Sequence, residues 1–440
     1  MKLFYSFVIL ILFQSCSFDK KSGIWSNDKN IASDKDVYKD FKTLISAEKS
    51  FDQIISLQKN FSFKLPNAKI NYAWSDIFFD QNNNYINFKY DNLNKLILKS
   101  KKITRHKLNS FLLYEDNNII TSDHKGNIIV FSINENKIIS KFNFYKKKYK
   151  KINKSLNLII EDNIIYVSDN IGYLYAYDYK IDNLIWAKNY KVPFRSNLKL
   201  KGDKLIGSTQ NNNLFFFDKK NGIILKTIPT EDSVIKNKFI NNLSLNNNSV
   251  FFLNTYGSLY SLDIKSMKIR WFANLNQTLN LNPSNLFSGN QIINNEERIV
   301  LNSNKHTYVI DTNSGQIIHK KNFSSNVKPI LISNYLFIVT KNNLLISFDI
   351  ISGNILYSYD VNQKISEYLD IKKKQVDINN IMIANNKILI FLKSSYLLIF
   401  DINGVLLEVR KLPSKILSQP IIIENSILYL DKKNKLLVVN

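Results

Sequence analysis

The sequence predicts an all-β fold: an eight-bladed β-propeller of four-stranded antiparallel blades, the last blade closed by an N-terminal strand, preceded by a lipidated N-terminal tether. Three observations predict it. A strand–turn–strand unit recurs along the 440 residues. From about residue 61 onward, short apolar runs alternate with Asn, Asp, Lys and Gly clusters, the pattern of short strands and hairpins. The single cysteine follows an N-terminal apolar run. With 45% hydrophobic and 13% aromatic residues the chain can fill a large core. Glycine (11) and proline (7) are few, so turns fall to Asn, Asp and Lys; Asn tolerates left-handed backbone better than most residues.

Residues 1–15 read as a secretory signal. Lys2 supplies the positive start, and Leu3 to Phe13 is too short for a permanent span, which needs roughly 20 residues. Gln14, Ser15 and Cys16 complete a stretch that resembles a bacterial lipobox, with Phe13 where Leu is usual and Gln14 in place of a small residue. Cys16 is the expected lipidation site, and several acyl chains hold a membrane where one is marginal. By the likeness to such lipoproteins, Ser17 after it is not an inner-membrane retention signal, which implies the outer membrane, on the periplasmic face. A lone cysteine excludes an intramolecular disulfide despite the oxidising compartment.

Residues 16–60 are expected to form the lipidated tether. Val37, Phe41, Leu44 and Ile45, then Phe51, Ile54 and Ile55, are spaced for one face of a short helix. The propeller is assigned to residues 61–440. Its clearest repeats end at Trp186, Trp271, His319 and Tyr357. One position anchors the alignment: Ser132, Asp178, Asp218, Asp263, Asp311, Asp349, Asp401 and Asn440. Successive gaps are 46, 40, 45, 48, 38, 52 and 39 residues, one blade each. The Asp accepts from backbone N–H groups of the next turn, where Gly222, Gly315, Gly353 and Gly404 supply positive φ. The aromatic eight residues on (Trp186, Trp271, Tyr357) is expected between adjacent blades. The last copy stops before its outermost strand, and an open ring exposes a sheet edge. The strand-like stretch Ile86 to Lys102 is expected to close it.

The net charge of +24 has two readings: attraction to anionic head groups or an acidic partner, or the Lys-, Asn- and Ile-rich composition of an AT-rich genome, which is favoured. The densest cluster, Lys146, Lys147, Lys148, Lys150 and Lys151, falls between strand patterns and reads as a solvated loop. Export argues against nucleic acid.

The Tyr-Ala-Tyr-Asp run ending at Asp178, and Ser261 to Trp271, resemble the tryptophan-containing repeats of quinoprotein-like propellers. Two families share them, the pyrroloquinoline-quinone dehydrogenases and the BamB-type lipoproteins of the outer-membrane β-barrel assembly machine. The lipidated cysteine, the tether, the eight repeats and the end inside a blade resemble the second. That resemblance implies a non-catalytic scaffold that binds the periplasmic domains of the barrel-insertion protein, other assembly subunits and unfolded outer-membrane proteins. It implies no cofactor. The family's Leu-x-Leu-Arg contact is matched by Val192, Phe194 and Arg195, which implies a partner-binding stretch there; the alternative is that Val192 and Phe194 begin the next blade. The family's acidic pair has no counterpart around Lys238 to Ile240.

The chemistry of the other family is not legible. Its adjacent-cysteine disulfide is impossible with one cysteine. His106, His124, His306 and His319 sit in different repeats without metal-ligand spacing. There is no nucleophile elbow, Walker loop or His-Glu-x-x-His. The Asp anchors recur, whereas a catalytic residue need occur once. Enzymatic activity is therefore not expected. A quinone-dependent oxidoreductase, or a lipoprotein for another envelope component, is the alternative, since fold does not fix function.

Overall fold

Paired positive-φ residues set the first hairpin of four blades. Asp116–Asn117, Asp162–Asn163, Asn385–Asn386 and Glu424–Asn425 all have φ between 45° and 66°. Two such residues in succession make the type I′ turn, whose twist matches the flanking strands. Asn does here what Gly does elsewhere. The computed structural model describes residues 49–145, 147–232, 241–276, 287, 289 and 291–440. One compact unit spans Ser50–Asn440.

Eight sheets form eight blades. Blade 2 is typical, running Leu156–Glu161, Ile164–Asp169, Tyr173–Asp178 and Asn183–Asn189 from axis to rim. The two middle strands of each blade are buried almost throughout, while the outer strand alternates exposed and half-buried residues (Ile269–Asn274 reads exposed, exposed, half-buried, exposed, half-buried, exposed). That is one sheet covered by neighbours on both faces and by water at its rim. Blade 8 comprises Ile421–Ile423, Ser426–Leu430 and Leu436–Val439, and its outer strand is Leu96–Lys99, paired antiparallel with Leu96 opposite Val439. The ring closes as the sequence predicts. The long 52-residue interval before Asp401 holds a helix, Val361–Leu369, capped by Asp360, whose carboxylate accepts from the N–H groups of Asn362 and Gln363.

A second N-terminal device has no sequence precedent. Residues 71–91 make a circuit of the inner rim and touch every blade. Asn71 O accepts from Glu424 N in blade 8 (2.9 Å), and Trp74 exchanges two backbone bonds with Tyr114 in blade 1 (2.9 Å each). Ser75 O accepts from Ile160 N in blade 2. Lys199 of blade 3 reaches Asp76. Gln81 O and Asn82 O accept from Leu245 N in blade 4 and Asn294 N in blade 5. Asn84 brackets Leu331 of blade 6 through both its amide atoms. Asn87–Phe88 adds a fifth, parallel strand to blade 7, and Tyr90 returns to Asn425 in blade 8.

The segment before this strap corrects one expectation. Phe51, Ile54 and Ile55 are not helical, and Ile55 forms an antiparallel bridge. Phe51 N donates to Asn322 O, and Ile55 exchanges backbone bonds with Ser358 on the outer strand of blade 6. The open strand edge supplies partners that a short helix would have to supply itself. Val37, Phe41, Leu44, Ile45 and Cys16 lie outside the described residues. No helix among the described residues is long and apolar enough to cross a membrane.

Candidate functional site

The propeller has two unlike ends. Hairpins joining the first to second and third to fourth strands project from the end that carries the strap. Hairpins joining the second to third strands, and the links between blades, project from the other, here the link end.

At the strap end the inner rim is filled by the chain itself. Trp74, Phe79, Tyr85 and Phe88 pack on one another with ring centroids 4.7–6.0 Å apart, all buried. Two lysines enter from the blades. Lys199 Nζ donates to Asp76 Oδ2 (2.7 Å), Asp80 O (2.7 Å) and Asn83 Oδ1 (2.5 Å). Lys328 Nζ donates to Phe78 O (2.8 Å) and Asn83 O (2.6 Å), 3.3 Å from the Tyr85 ring centroid. Burial pushes the Asp76 carboxyl up and the Lys199 ammonium down, against their mutual attraction. Burial, with repulsion from Lys199, holds Lys328 well below the ordinary lysine range.

The repeat anchors sit at the ends of third strands and organise the turns that follow. Asp178 Oδ1 accepts from Lys180 N (2.9 Å), Asp218 Oδ1 from Lys220 N (2.8 Å), Asp349 Oδ1 from Ile351 N (2.9 Å) and Asp401 Oδ1 from Val405 N (2.7 Å). Asp263 and Asp311 do the same for Ser266 and Ser314 and pair with Arg270 and Arg298. The Arg270 guanidinium and the turn hold the Asp263 carboxyl well below the usual range. The Trp186 indole lies on Gly222 of the next blade and donates Nε1–H to Lys219 O (3.0 Å). Trp271 repeats this on Gly315 and Thr312 O (2.9 Å). His319 stacks on Gly353, with Nε2 3.3 Å from Ile351 O.

Val192–Arg195 lies at the link end, between blades 2 and 3. Phe194 is not available to a partner. It is 4% exposed, packs on Tyr190 and Phe217, and is tied through its N–H to Asp169 O. An apolar residue next to a blade gains more from the inter-blade core than from water, so the alternative stated for it holds. Val192 is half-buried; Arg195 is half-buried too, and burial lowers its guanidinium below the ordinary range. Lys238 to Ile240 lie outside the described residues.

Among the described residues no group of three or more His, Cys, Asp or Glu side chains is placed to hold a metal. His124 N donates to Lys107 O, and burial with the nearby Lys107 lowers its imidazole; His306 packs edge-on to Tyr308.

Comparison with known proteins fits this frame. None of the curated proteins matches. Among solved structures, BamB from Moraxella catarrhalis superposes with a TM-score of 0.60 at 13% identity, covering 78% of this chain and 100% of that one. A computationally designed protein, Ika8, gives 0.60 at 13% identity over 78% and 99%. Quinohemoprotein alcohol dehydrogenase from Comamonas testosteroni gives 0.61 at 11% identity over 82% and 76%. At such identities these likenesses establish the propeller fold. The sequence model of outer membrane protein assembly factor BamB matches residues 107–359, more than half the chain, and the protein belongs to that family.

Proposed function

We propose that the chain is a non-catalytic scaffold lipoprotein of the outer-membrane β-barrel assembly machinery, anchored through Cys16 on the periplasmic face and docking the barrel-insertion protein through its link end. Family membership supports the machinery. The observation that carries the scaffold reading is the strap. Its circuit and its buried Lys199–Asp76 pair fill the inner rim at one end, where a propeller enzyme needs room for cofactor and substrate. A quinone-dependent oxidoreductase remains the second reading, supported by the fold likeness to a quinohemoprotein dehydrogenase. Val192 and Arg195 are the proposed contact. The guanidinium offers bidentate pairing to a carboxylate, while Phe194 holds the loop from beneath.

Affinity purification from detergent-solubilised membranes tests this. The barrel-insertion subunit should co-purify, and Arg195→Glu should reduce its recovery about tenfold or more. Recovery of the chain with no assembly subunit refutes the role, and a stoichiometric chromophore retained on purification favours the oxidoreductase. Cys16→Ser should move the protein from membrane to soluble fractions; continued membrane retention refutes the anchor.

A further inference from the structure

The ion pairs of this protein are distributed unevenly. At the strap end, turn lysines and arginines face carboxylates: Lys219 pairs with Glu161, Lys204 with Asp203 (2.8 Å), Lys180 with Asp116 (3.5 Å) and Arg298 with Asp311 (2.9 Å). At the link end, the ion pairs among the described residues are confined to the inserted helix, where Lys364 meets Glu367 and Lys373 meets Asp360. Where blades 8, 1 and 2 meet, the link end is concave. A cleft of about 440 Å³ is lined by Lys125, Lys147, Lys150, Lys154 and His106, with Tyr145 as its apolar wall. A second of about 340 Å³ shares His106 and adds Lys102, Arg105 and Lys141. No carboxylate lines either cleft.

The two nearest acids are spent on the fold. Asp123 Oδ1 accepts from the N–H groups of Lys125 (2.9 Å) and Asn127 (3.2 Å), and Oδ2 from Thr104 Oγ1 (3.1 Å) and Asn127 Nδ2 (2.7 Å). Asp169 Oδ1 accepts from three N–H groups, of Ile171, Gly172 and Tyr173, each at 2.8 Å, and Oδ2 from the Tyr145 hydroxyl (2.5 Å). Lys154 is itself buried. Its ammonium is fixed by Tyr149 O (2.5 Å) and lies 5.0 Å from the Tyr145 ring centroid. Lys125, Lys147 and Lys150 form no ion pair among the described residues, so their ammonium groups face the cleft's solvent.

We infer that this cleft binds a phosphate-bearing anion, its oxygens accepting from the Lys125, Lys147 and Lys150 ammonium groups. Several cations gathered around a concavity repel one another unless an anion enters, and a phosphate offers enough acceptor oxygens for all three. The site lies apart from Val192–Arg195 and does not rest on the docking role. The phosphate can come from a lipid head group or from a soluble polyanion, and two probes separate them.

The test uses the full-length chain carrying Cys16→Ser, so that acylation does not drive membrane binding. Inorganic tripolyphosphate is titrated calorimetrically, and vesicles of phosphatidylglycerol are compared with phosphatidylcholine by flotation. Saturable binding of one tripolyphosphate, or selective binding to the phosphatidylglycerol vesicles alone, supports the site and names the source. Lys125→Gln with Lys150→Gln should weaken that binding about tenfold or more, while Lys220→Gln with Lys268→Gln, on exposed strap-end turns, should leave it nearly unchanged. Equal loss in both double variants means attraction by net charge alone and overturns the inference. So does binding of polyglutamate with neither phosphate probe retained, which points to an acidic protein segment instead.

Discussion

Asp76→Ala tests whether the strap is a structural keystone or merely lies on the rim. The Asp76 carboxylate and the Lys199 ammonium are 2.7 Å apart, with side chains 2% and 0% exposed. Removing the carboxylate leaves the buried Lys199 ammonium with two neutral acceptors, Asp80 O and Asn83 Oδ1. Breaking a buried pair from one side costs about 3–5 kcal/mol, because the remaining charge is uncompensated. Unfolding entropy of roughly 2.1 cal/mol/K per residue, over a unit this long, converts 1 kcal/mol into about 1 °C, so the melting temperature should fall by about 4–6 °C. Asp76→Ala with Lys199→Met removes both charges and should cost less than either single change, since the pair's own desolvation penalty disappears with it. Thermal unfolding by far-ultraviolet circular dichroism of all four proteins gives the cycle. Additive losses, or single variants within about 1 °C of the parent, refute the reasoning.

Two further outcomes follow from side-chain geometry. Gly222 has φ 71°, and a Cβ there would stand 2.5 Å from the Trp186 indole, whereas Gly202, at φ 60°, has nothing within 4 Å. Gly222→Ala should therefore cost about 2–4 kcal/mol and Gly202→Ala only about 1 kcal/mol; equal costs by urea denaturation would show that the indole yields. Lys328 is held below its ordinary range by burial. Below a pH of about 10.4 the unfolded chain carries that proton, and above its depressed native value the fold does not. The unfolded state binds more protons in this window, so stability rises with pH through it. Lys328→Met should flatten that rise. Parallel urea midpoints against pH for the two proteins would refute the assignment.

The blades were legible because each is made from neighbours in sequence. A hairpin needs alternating side chains, a turn and an anchor within some fifty residues, and the Asp178-to-Asp401 series carries all three. Closure was legible for a related reason: a missing outer strand at Asn440 and a spare strand near Leu96 are complementary. Helix Val361–Leu369 was missed, although the longest interval between anchors and the capping Asp360 mark it. The reading of Phe51 to Ile55 as helical failed on competition. Its apolar spacing fits one helix face, but an open outer strand in blade 6 supplied backbone partners from far along the chain.

The strap was illegible on principle. Its bonds join positions as far apart as Asn71 and Ile422, and most run between main-chain atoms or from Asn, Ser or Lys side chains to main-chain atoms, which leave no periodicity. The run Asn82–Asn84 looks like a loop in sequence. In the fold these three residues bind blades 3, 4, 5 and 6. Phe194 teaches the converse. A motif match placed it at a contact, yet the same apolar character that suits an interface suits the gap between blades, and a fixed core partner within the chain wins over a partner that must first associate. Charge behaved in the same way. Composition explains how many lysines the chain has but not where they go unpaired. Their pairing at the strap end and their isolation beside Lys125 and Lys150 is a property of the fold, and a uniform compositional bias would not produce it.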